Sequence, residues 1–261
     1  MGSLIQWPTA KYWTRQFNSW LGCVPCSPAC EHCYAAAMTK RFGGSLEPHL
    51  SKQELPPRKG VVFCGNMTDI AGEWREIADI AGDMAVCAAR RGATYLWLTK
   101  RPERMVKAMH YVGDRLQRPE VWFMNHYFGI TAESQEWWLK RRGQLADLPK
   151  WAKWWVSCEP LLGPIDMGLM FQHPLTRRFE ILPKRELPSW VVVGCESGPH
   201  HRPCKIEWVE SIVEQCFSAG VPVFVKQICL PNGKFTNKVE EFPGHLRIRQ
   251  VPWAQEQKGE K

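Results

Sequence analysis

Short apolar runs that alternate with helical segments are the feature that most limits how this chain can fold. Six runs rich in Val, Phe, Trp and Tyr have the length and composition of buried β-strands. Four longer segments between them carry apolar residues at helical spacing. Alternation of this kind is typical of parallel βαβ units. The predicted strands are 61–64, 94–99, 126–131, 153–158, 190–194 and 221–225, and the predicted helices are 73–91, 101–110, 134–145 and 205–219.

A seventh strand is predicted at residues 16–21, ahead of the others. Seven strands with intervening helices suit a partial or complete parallel β/α barrel, related to the TIM barrel, better than a two-layer fold. The 261 residues are enough for one such domain with a large hydrophobic core. We therefore predict an α/β protein with a single barrel-like domain over residues 1–253 and a polar tail at 254–261.

One stretch interrupts the alternation of strands and helices. Residues 161–188 are rich in proline and have no clear helical pattern, although they lie between two predicted strands. Long connections of this kind inside a compact domain are uncommon and usually functional. We predict that residues 161–188 form an inserted loop or lid that contacts the substrate.

Four cysteines lie close together directly after the first predicted strand. Cys26, Cys30 and Cys33 have the spacing C-x3-C-x2-C. With Cys23 in place of Cys26, the spacing becomes C-x6-C-x2-C. Thiolates are soft ligands that bind iron–sulfur clusters, zinc or copper. Because all four thiols fall within residues 22–34, the pattern favours an iron–sulfur cluster over a zinc site, whose ligand pairs usually come from more distant segments.

The number of thiolate ligands separates the possible functions. Three thiolates on a 4Fe–4S cluster leave one iron open to bind a small molecule, which is typical of an enzyme. Four thiolates instead close a structural zinc site or an electron-transfer cluster. Two alternatives to an enzyme therefore stay open: a non-catalytic nucleic-acid-binding protein with a structural zinc–cysteine site, and a closed-cluster electron-transfer protein.

Polar side chains follow nearly every predicted strand, at the point where it ends. In a parallel barrel these strand ends and the loops after them form the active site. Each acid among them also has a structural interpretation as a helix cap or first-turn residue. Their recurrence at six strand ends favours a functional site. The candidates are Gly65, Asn66, Asp69, Lys100, Thr131, Glu133, Ser134, Glu159, Glu196 and Lys226.

The charge of the chain bears on its substrate and its location. The formal net charge is +8, and Arg101 and Arg104 lie beside Lys100 at a predicted strand end, where they suit a phosphate or a carboxylate. This favours a nucleic acid, a nucleotide or a related phosphate-bearing substrate. The chain has neither a secretory signal at its N-terminus nor an apolar run long enough to cross a bilayer. We therefore expect a cytoplasmic protein with no membrane partner.

Seven segments between residues 18 and 230 together carry a family resemblance. The chain resembles the radical S-adenosylmethionine (SAM) enzymes, and it is most similar to a family of phage and prophage proteins of poorly defined function that are related to spore photoproduct lyase. The segments are NSWLGCVPCSPACEHCY at 18–34, VFCGNMTD at 62–69, LTKRPERM at 98–105, FGITAESQ at 128–135, VSCEPLLGPID at 156–166, VVVGCESGP at 191–199 and AGVPVFVKQ at 219–227.

The resemblance implies a particular chemistry. A 4Fe–4S cluster would bind SAM at its open iron and cleave it, after one-electron reduction by a donor such as flavodoxin or ferredoxin, to methionine and a 5′-deoxyadenosyl radical. That radical would abstract hydrogen from a substrate such as a nucleic-acid base or nucleotide, in the host cytoplasm if the gene belongs to a phage. It further implies that Gly65, Asn66 and Asp69 contact the SAM amino group.

The resemblance also implies roles for other strand-end residues and leaves one ligand undecided. Thr131, Glu133 and Ser134 would contact the SAM ribose or carboxylate. The family typically has an aliphatic residue where this chain has Cys26, so the third cluster ligand is either Cys23 or Cys26. The candidates for binding or converting the substrate are Lys100, Glu159, Glu196 and Lys226.

Overall fold

The computed structural model describes residues 6–53, 55–198 and 200–253, so the predicted polar tail at 254–261 lies outside the described residues. The strands of this part are β1 (Arg15–Phe17), β2 (Trp20–Leu21), β3 (His49–Leu50), β4 (Gly60–Cys64), β5 (Ala93–Thr99), β6 (His126–Thr131), β7 (Lys153–Cys158), β8 (Met170–Gln172), β9 (Phe179–Ile181), β10 (Val191–Gly194), β11 (Val223–Cys229) and β12 (Phe235–Thr236). The α-helices are α1 (Tyr34–Arg41), α2 (Ile77–Ala88), α3 (Pro102–Gly113), α4 (Pro119–Trp122), α5 (Gln135–Gly143) and α6 (Ile206–Ala219). Three short 3-10 helices are Pro28–Cys30, Val239–Glu241 and Gly244–Leu246.

The strand order in the main sheet is β1-β4-β5-β6-β7-β10-β11-β12. Pairs β1–β4, β4–β5, β5–β6, β7–β10 and β10–β11 are parallel, and only the short β12 runs antiparallel to its neighbour β11 in the described pairings. The fold is therefore α/β with an eight-stranded, mostly parallel sheet. This confirms the predicted fold class at that level.

The described chain divides into two compact units. The first unit comprises residues 11–131 and 139–154, and the second comprises the described residues among 1–10, 132–138 and 155–261. The prediction of one domain over residues 1–253 stays a prediction.

Buried strands and amphipathic helices form the core of the first unit. Strands β4, β5 and β6 are almost wholly buried, as their near-continuous apolar sequences predict for a parallel sheet. Helices α2 and α3 pack against each other. Helix α3 begins with Pro102, which is favoured at the first helical position because it lacks an N–H group. Its buried Met105, Met109 and Val112 recur at helical spacing and form the inward face.

The second unit repeats this arrangement around β10 and β11. Helix α6 packs on both strands through Val209, Ile212, Val213 and Cys216, which lie on one face. The helix ends at Ala219 and is capped by Gly220, whose φ of 67° is in the left-handed region that favours glycine. All four residues of β10 are buried.

Two sequence-based predictions need correction. Residues 16–21 are not one strand, because β1 and β2 belong to different sheets and β2 pairs with β3. The predicted strand is interrupted at Asn18, because the Asn18 N–H donates a hydrogen bond to the Gln53 side chain and not to a neighbouring strand. Residues 161–188 are not entirely loop, since β8 and β9 form an antiparallel hairpin there. Each strand of this hairpin has three residues, which is too short for an alternating pattern to predict.

None of the helices in the described ranges combines the length and the apolar character that crossing a bilayer requires.

Candidate functional site

The strand ends of the first unit form one polar edge. Because β1, β4, β5 and β6 are parallel and in register, their carboxyl ends lie on the same side of the sheet. The loops that leave β4 and β5 there contain Asn66, Asp69, Lys100 and Arg101. The segment of residues 22–34, called the cysteine loop below, follows β2 and is bound by these two loops.

Asp69 joins the loops after β4 and β5. The side chain of Asp69 is only 6 % exposed. Its Oδ1 accepts hydrogen bonds from the Thr99 hydroxyl and from the Ala71 N–H, 3.0 Å away. Its Oδ2 accepts hydrogen bonds from the Lys100 N–H and the Arg101 guanidinium, each at 3.0 Å. Both carboxylate oxygens are thus bonded within the protein, so Asp69 acts in this conformation as a positioning residue for Arg101.

The beginning of the cysteine loop is fixed by contacts from both strand-end loops. The Thr68 hydroxyl donates to the Gly22 carbonyl at 2.6 Å, and Arg101 donates to the Val24 carbonyl at 3.0 Å. Gly22 has a φ of 79°, and a Cβ at this position would lie 2.4 Å from the Glu47 carbonyl oxygen. Only glycine combines this backbone conformation with so close an approach.

The end of the cysteine loop is fixed by a second set of side chains. Asn66 Nδ2 donates to the Tyr34 hydroxyl at 3.0 Å, directly after Cys33. Asn66 Oδ1 accepts from Asn18 Nδ2 at 2.8 Å, and Asn18 Oδ1 accepts from the Met67 N–H at 3.1 Å. Asn18 is buried, and sequence reasoning missed its role. The one indication in the sequence was that Asn18 is the first residue of segment 18–34, which carries part of the family resemblance.

The four loop cysteines are each partly exposed, so a ligand can reach them. The 3-10 helix Pro28–Cys30 turns the chain so that the Cys26 N–H points at the Cys30 Sγ, 3.5 Å away. The Cys30 Sγ also lies 3.9 Å from the Ser27 hydroxyl. The structure thus brings Cys26 and Cys30 together.

The environment of the loop thiols separates their pKa values. A hydrogen bond from the Cys26 thiol, the main cause, lowers the pKa of Cys30 to about 4. The same hydrogen bond, with burial as the second cause, raises the pKa of Cys26. Burial, followed by the charge of Asp69, raises the pKa of Cys23 to about 11. Cys23 is therefore affected by Asp69. The Cys26 thiol is instead the hydrogen-bond donor to the Cys30 sulfur.

The cysteine loop fits a soft-metal group by donor type. It offers four sulfur donors within one short loop, and sulfur is the donor that iron–sulfur clusters and zinc prefer. In the described residues, no group of three or more His, Cys, Asp or Glu side chains is arranged to hold a metal ion. The loop therefore has the sulfur donors, but in this conformation the described residues do not arrange them around one metal position.

The basic residues after β5 are occupied mainly within the protein. Besides its bonds to Asp69 and Val24, Arg101 lies over the Trp74 ring, with 5.4 Å between its guanidinium carbon and the ring centroid. Arg104 donates to the carbonyl oxygens of Ala71 and Arg75. Both arginines therefore hold loops in place rather than presenting their charge to an anion.

A buried arginine that sequence reasoning missed supports the ends of β5 and β6. Arg141 is only 1 % exposed. It donates to the Lys100 carbonyl at 3.1 Å and to the Thr131 carbonyl at 2.8 Å. Its position in a helical segment that reads as solvent-facing gave no signal for this role. Arg141 thereby fixes the backbone of two predicted site residues, Lys100 and Thr131.

The second unit has its own set of charged strand-end residues. The Lys226 ammonium and the Glu159 carboxylate form an ion pair at 2.5 Å, with side chains 21 % and 15 % exposed. Glu196 is buried and binds Arg202 through both carboxylate oxygens, at 2.6 Å and 3.2 Å. The structure thus brings Glu159 and Lys226 together and pairs Glu196 with an arginine that the sequence had not singled out.

The main-chain carbonyls of the other two predicted residues of the second unit accept hydrogen bonds within the protein. Glu133 is fully buried, and its carbonyl accepts the Leu162 N–H at 2.8 Å. The Ser134 carbonyl accepts the Trp138 N–H at 2.8 Å, which closes the first turn leading into α5. Both residues lie within three residues of the end of β6, as the sequence predicts.

Fold and site together define the class of this protein. It is an α/β protein with a four-cysteine loop bound at the carboxyl edge of a parallel sheet. A family model described as a protein of unknown function (DUF5131) matches residues 5–241. The chain therefore belongs to this family. No curated protein and no solved structure matches it.

Proposed function

We propose that this protein is a radical SAM enzyme whose cysteine loop holds a 4Fe–4S cluster. The parallel sheet would then form part of a β/α barrel of the radical SAM type, related to the phage proteins and to spore photoproduct lyase. When bound, the cluster would supply the electron that cleaves SAM to methionine and a 5′-deoxyadenosyl radical.

One observation carries the proposal. The cysteine loop is fastened at both ends to the loops that follow β4 and β5, through Thr68 and Arg101 at its start and Asn66 at its end. A reactive group that generates radicals must be held in one place against its substrate and away from water. Contacts from the strand-end loops would give the cysteine loop that fixed position.

The residues of the first unit suggest a division of roles. Cys30 and Cys33, with Cys26 or Cys23, would be the cluster ligands. The loop after β4, with Gly65 and Asn66, would lie beside the SAM amino group. Asp69, with both oxygens bonded internally, would orient Arg101 and the start of the loop rather than touch SAM.

The remaining candidates belong to the substrate and to the other end of SAM. Thr131 ends β6, Glu133 and Ser134 lie just beyond it, and all three would contact the SAM ribose or carboxylate. Lys100, Glu159, Glu196 and Lys226 would bind or convert the substrate. Within the second unit, the Glu159–Lys226 ion pair offers a donor and an acceptor that a substrate polar group could displace.

The proposed substrate is a nucleic-acid base, a nucleotide or a related phosphate-bearing molecule. This rests on the net charge of +8, which attracts polyanions. A flavodoxin or ferredoxin would deliver the electron, and the protein would act in the cytoplasm, or in the host cytoplasm if phage-encoded.

Anaerobic reconstitution with iron and sulfide tests the proposal. We expect about four irons and four sulfides per chain, the stoichiometry of a 4Fe–4S cluster, and a change in the electron paramagnetic resonance spectrum of the reduced cluster when SAM is added. A cluster whose spectrum does not change when SAM is added would indicate a closed electron-transfer site. Stoichiometric zinc with no cluster would indicate the structural zinc–cysteine alternative.

A further inference from the structure

Basic residues are concentrated at the amino edge of the sheet in the first unit. Because β4, β5 and β6 are parallel, the segments that lead into them lie on the same side of the sheet. These segments, 57–60, 89–92 and 114–125, hold six basic and two acidic residues, a net charge of +4. Half of the net charge of +8 therefore lies in 20 of the 261 residues.

The centre of this edge is a group of four basic side chains, called the basic edge below: Arg58 and Lys59 before β4, and Arg90 and Arg91 before β5. The two segments that carry them are neighbours, because Gly60 at the start of β4 faces Ala93 at the start of β5. They also touch, since a Cβ on Gly92 would lie only 2.6 Å from the Arg58 carbonyl oxygen.

Hydrogen bonds fix the backbone of the basic edge. The buried Tyr95 of β5 donates its hydroxyl to the Pro57 carbonyl at 2.7 Å, and the same hydroxyl lies 3.3 Å from the Arg90 carbonyl. Asn125, just before β6, donates its Nδ2 to the Arg91 carbonyl at 3.2 Å. The segments before three strands are therefore joined, and they hold the basic side chains at one place.

The four side chains face solvent without an internal counter-ion. Three of them are exposed and Arg90 is half-buried. In the described part of the chain, none of the four forms an ion pair with a carboxylate. The loops after β4 and β5 differ, because Arg75 and Arg101 there bind Asp83 and Asp69. Neighbouring like charges repel one another, so an anion bound at the basic edge would stabilise it.

The chemistry of the basic edge favours phosphate groups over bases. Guanidinium groups bind phosphate oxygens in a bidentate manner, and three of the four side chains are arginines. The nearby Trp122 ring is covered on one face by Arg91, with 4.9 Å between the guanidinium carbon and the ring centroid. That face is not free to stack on a base, as binding of single strands requires. A duplex instead presents phosphates at about one charge per 1.7 Å of its axis.

We propose that the basic edge binds the phosphate backbone of double-stranded DNA, independently of base sequence. The seven residues of β5 separate this edge from the carboxyl edge by about 20 Å. The inference goes beyond the proposed function, because the cysteine loop is bound at the carboxyl edge and DNA binding at the basic edge requires no cluster.

Fluorescence anisotropy tests the proposal. The full-length protein is titrated into a labelled DNA duplex of about 20 base pairs, at salt concentrations from about 50 to about 200 mM. The test variant combines Arg58→Ala, Lys59→Ala and Arg91→Ala. The matched control combines Lys184→Ala, Arg185→Ala and Lys234→Ala, which removes the same charge from exposed positions in the second unit.

We expect the wild type and the control to bind the duplex with similar affinity. In the test variant, the slope of log K against log salt concentration should be shallower by about 3, since each lost phosphate contact removes about 0.9. Its affinity at about 100 mM salt should be at least roughly tenfold lower. Its melting temperature should not decrease, because the substitutions remove repulsion between like charges.

Four outcomes would overturn the proposal. The first is a wild-type protein that does not bind the duplex at about 50 mM salt. The second is an equal loss of affinity in the test variant and the control, which would assign binding to net charge alone. The others are tighter binding of a single strand of the same length, or of phosphatidylserine vesicles, than of the duplex. Because binding is measured without SAM or a reductant, none of these results depends on the radical SAM function.

Discussion

At the scale of single residues, Asp69 holds together more of the candidate site than any other side chain. It accepts four hydrogen bonds, and its partner Arg101 reaches from there to the Val24 carbonyl in the cysteine loop. The side chain of Arg101 is only 9 % exposed. The charge of Asp69 therefore stabilises a guanidinium that has little contact with water.

Replacing Asp69 tests this role. The Asp69→Ala variant leaves Arg101 without its buried carboxylate, and removing one partner of such a pair costs about 3–5 kcal/mol. We expect this loss in the free energy of unfolding, measured by urea denaturation. The exposed Asp114, replaced by Ala, is the matched control and should change the free energy by no more than about 0.5 kcal/mol. A similar effect of both variants would refute the role assigned to Asp69.

His126 gives a prediction about pH. Burial lowers the pKa of His126 to about 3, and its Nδ1 accepts a hydrogen bond from the Trp97 indole at 3.0 Å. An unfolded histidine has a pKa of about 6.5. Between these values the unfolded chain binds a proton that the folded protein does not, so stability is complete above pH 6.5 and falls as the pH decreases.

The expected slope can be measured. Between about pH 5.5 and about pH 4.5, His126 should contribute a loss approaching 1.4 kcal/mol per pH unit. The His126→Gln variant has no group that titrates here, so its unfolding free energy should depend less steeply on pH by that amount. Equal slopes in the two proteins would show that His126 is protonated in the folded state.

Residue-scale chemistry could be predicted from the sequence only in part. The cysteines and the strand-end polar residues are visible, because strands can be located and their carboxyl ends then follow. The residues that hold these site residues in place are not visible, because Asn18, Arg141 and Arg202 meet them only in the folded chain. The structure adds that Asp69 and Arg101 bond to each other and to neighbouring loops, while the contact of Asp69 with SAM stays a prediction.

At the scale of elements, the cysteine loop makes the sharpest prediction. Cys26 contacts Cys30, whereas Cys23 lies beside Asp69. We therefore expect Cys26 to be the third cluster ligand.

Separate substitutions test this assignment. The Cys26→Ala variant should lose most of its iron after reconstitution, and Cys23→Ala should retain a cluster that still responds to SAM. Iron analysis and electron paramagnetic resonance measure both properties. The reverse result would assign the role to Cys23, which gives the alternative spacing C-x6-C-x2-C with Cys30 and Cys33.

The β8–β9 hairpin is the second element with a testable role. The Leu182 N–H donates to the Leu169 carbonyl at 3.0 Å, so a short linker can join these residues once 170–181 are removed. The side chains of Phe179 and Ile181 in the hairpin are largely exposed, so the deletion removes little core. We expect an unchanged melting temperature and intact cluster assembly, with loss of turnover on the substrate. A deletion variant that cannot fold would contradict the interpretation as a lid.

Most regular elements could be predicted from the sequence because long apolar runs and helical spacing act locally. Strands β6 and β7 have the predicted bounds, and helices α3 and α6 differ from prediction by a few residues. The short pairs β2–β3 and β8–β9 could not be predicted, because strands of two or three residues depend on their partner. The shift in register between Val193 and Gly194, where β10 pairs with β11, likewise could not be predicted from the sequence of either strand alone.

At the scale of the whole molecule, we propose that the four-cysteine loop makes this protein an enzyme. Three features support this proposal: the parallel sheet, the contacts that fix the cysteine loop, and the excess of basic residues. The family match to residues 5–241 extends over nearly all of these features without assigning a function to them.

The most direct test is the formation of 5′-deoxyadenosine. The reconstituted protein is reduced with dithionite without oxygen, SAM is added, and the product is quantified by liquid chromatography and mass spectrometry, with Cys30→Ala as the control. We expect 5′-deoxyadenosine from the wild type and none from the variant. A fully reconstituted, reduced wild-type protein that yields no more 5′-deoxyadenosine than the variant would rule out the proposed radical SAM function.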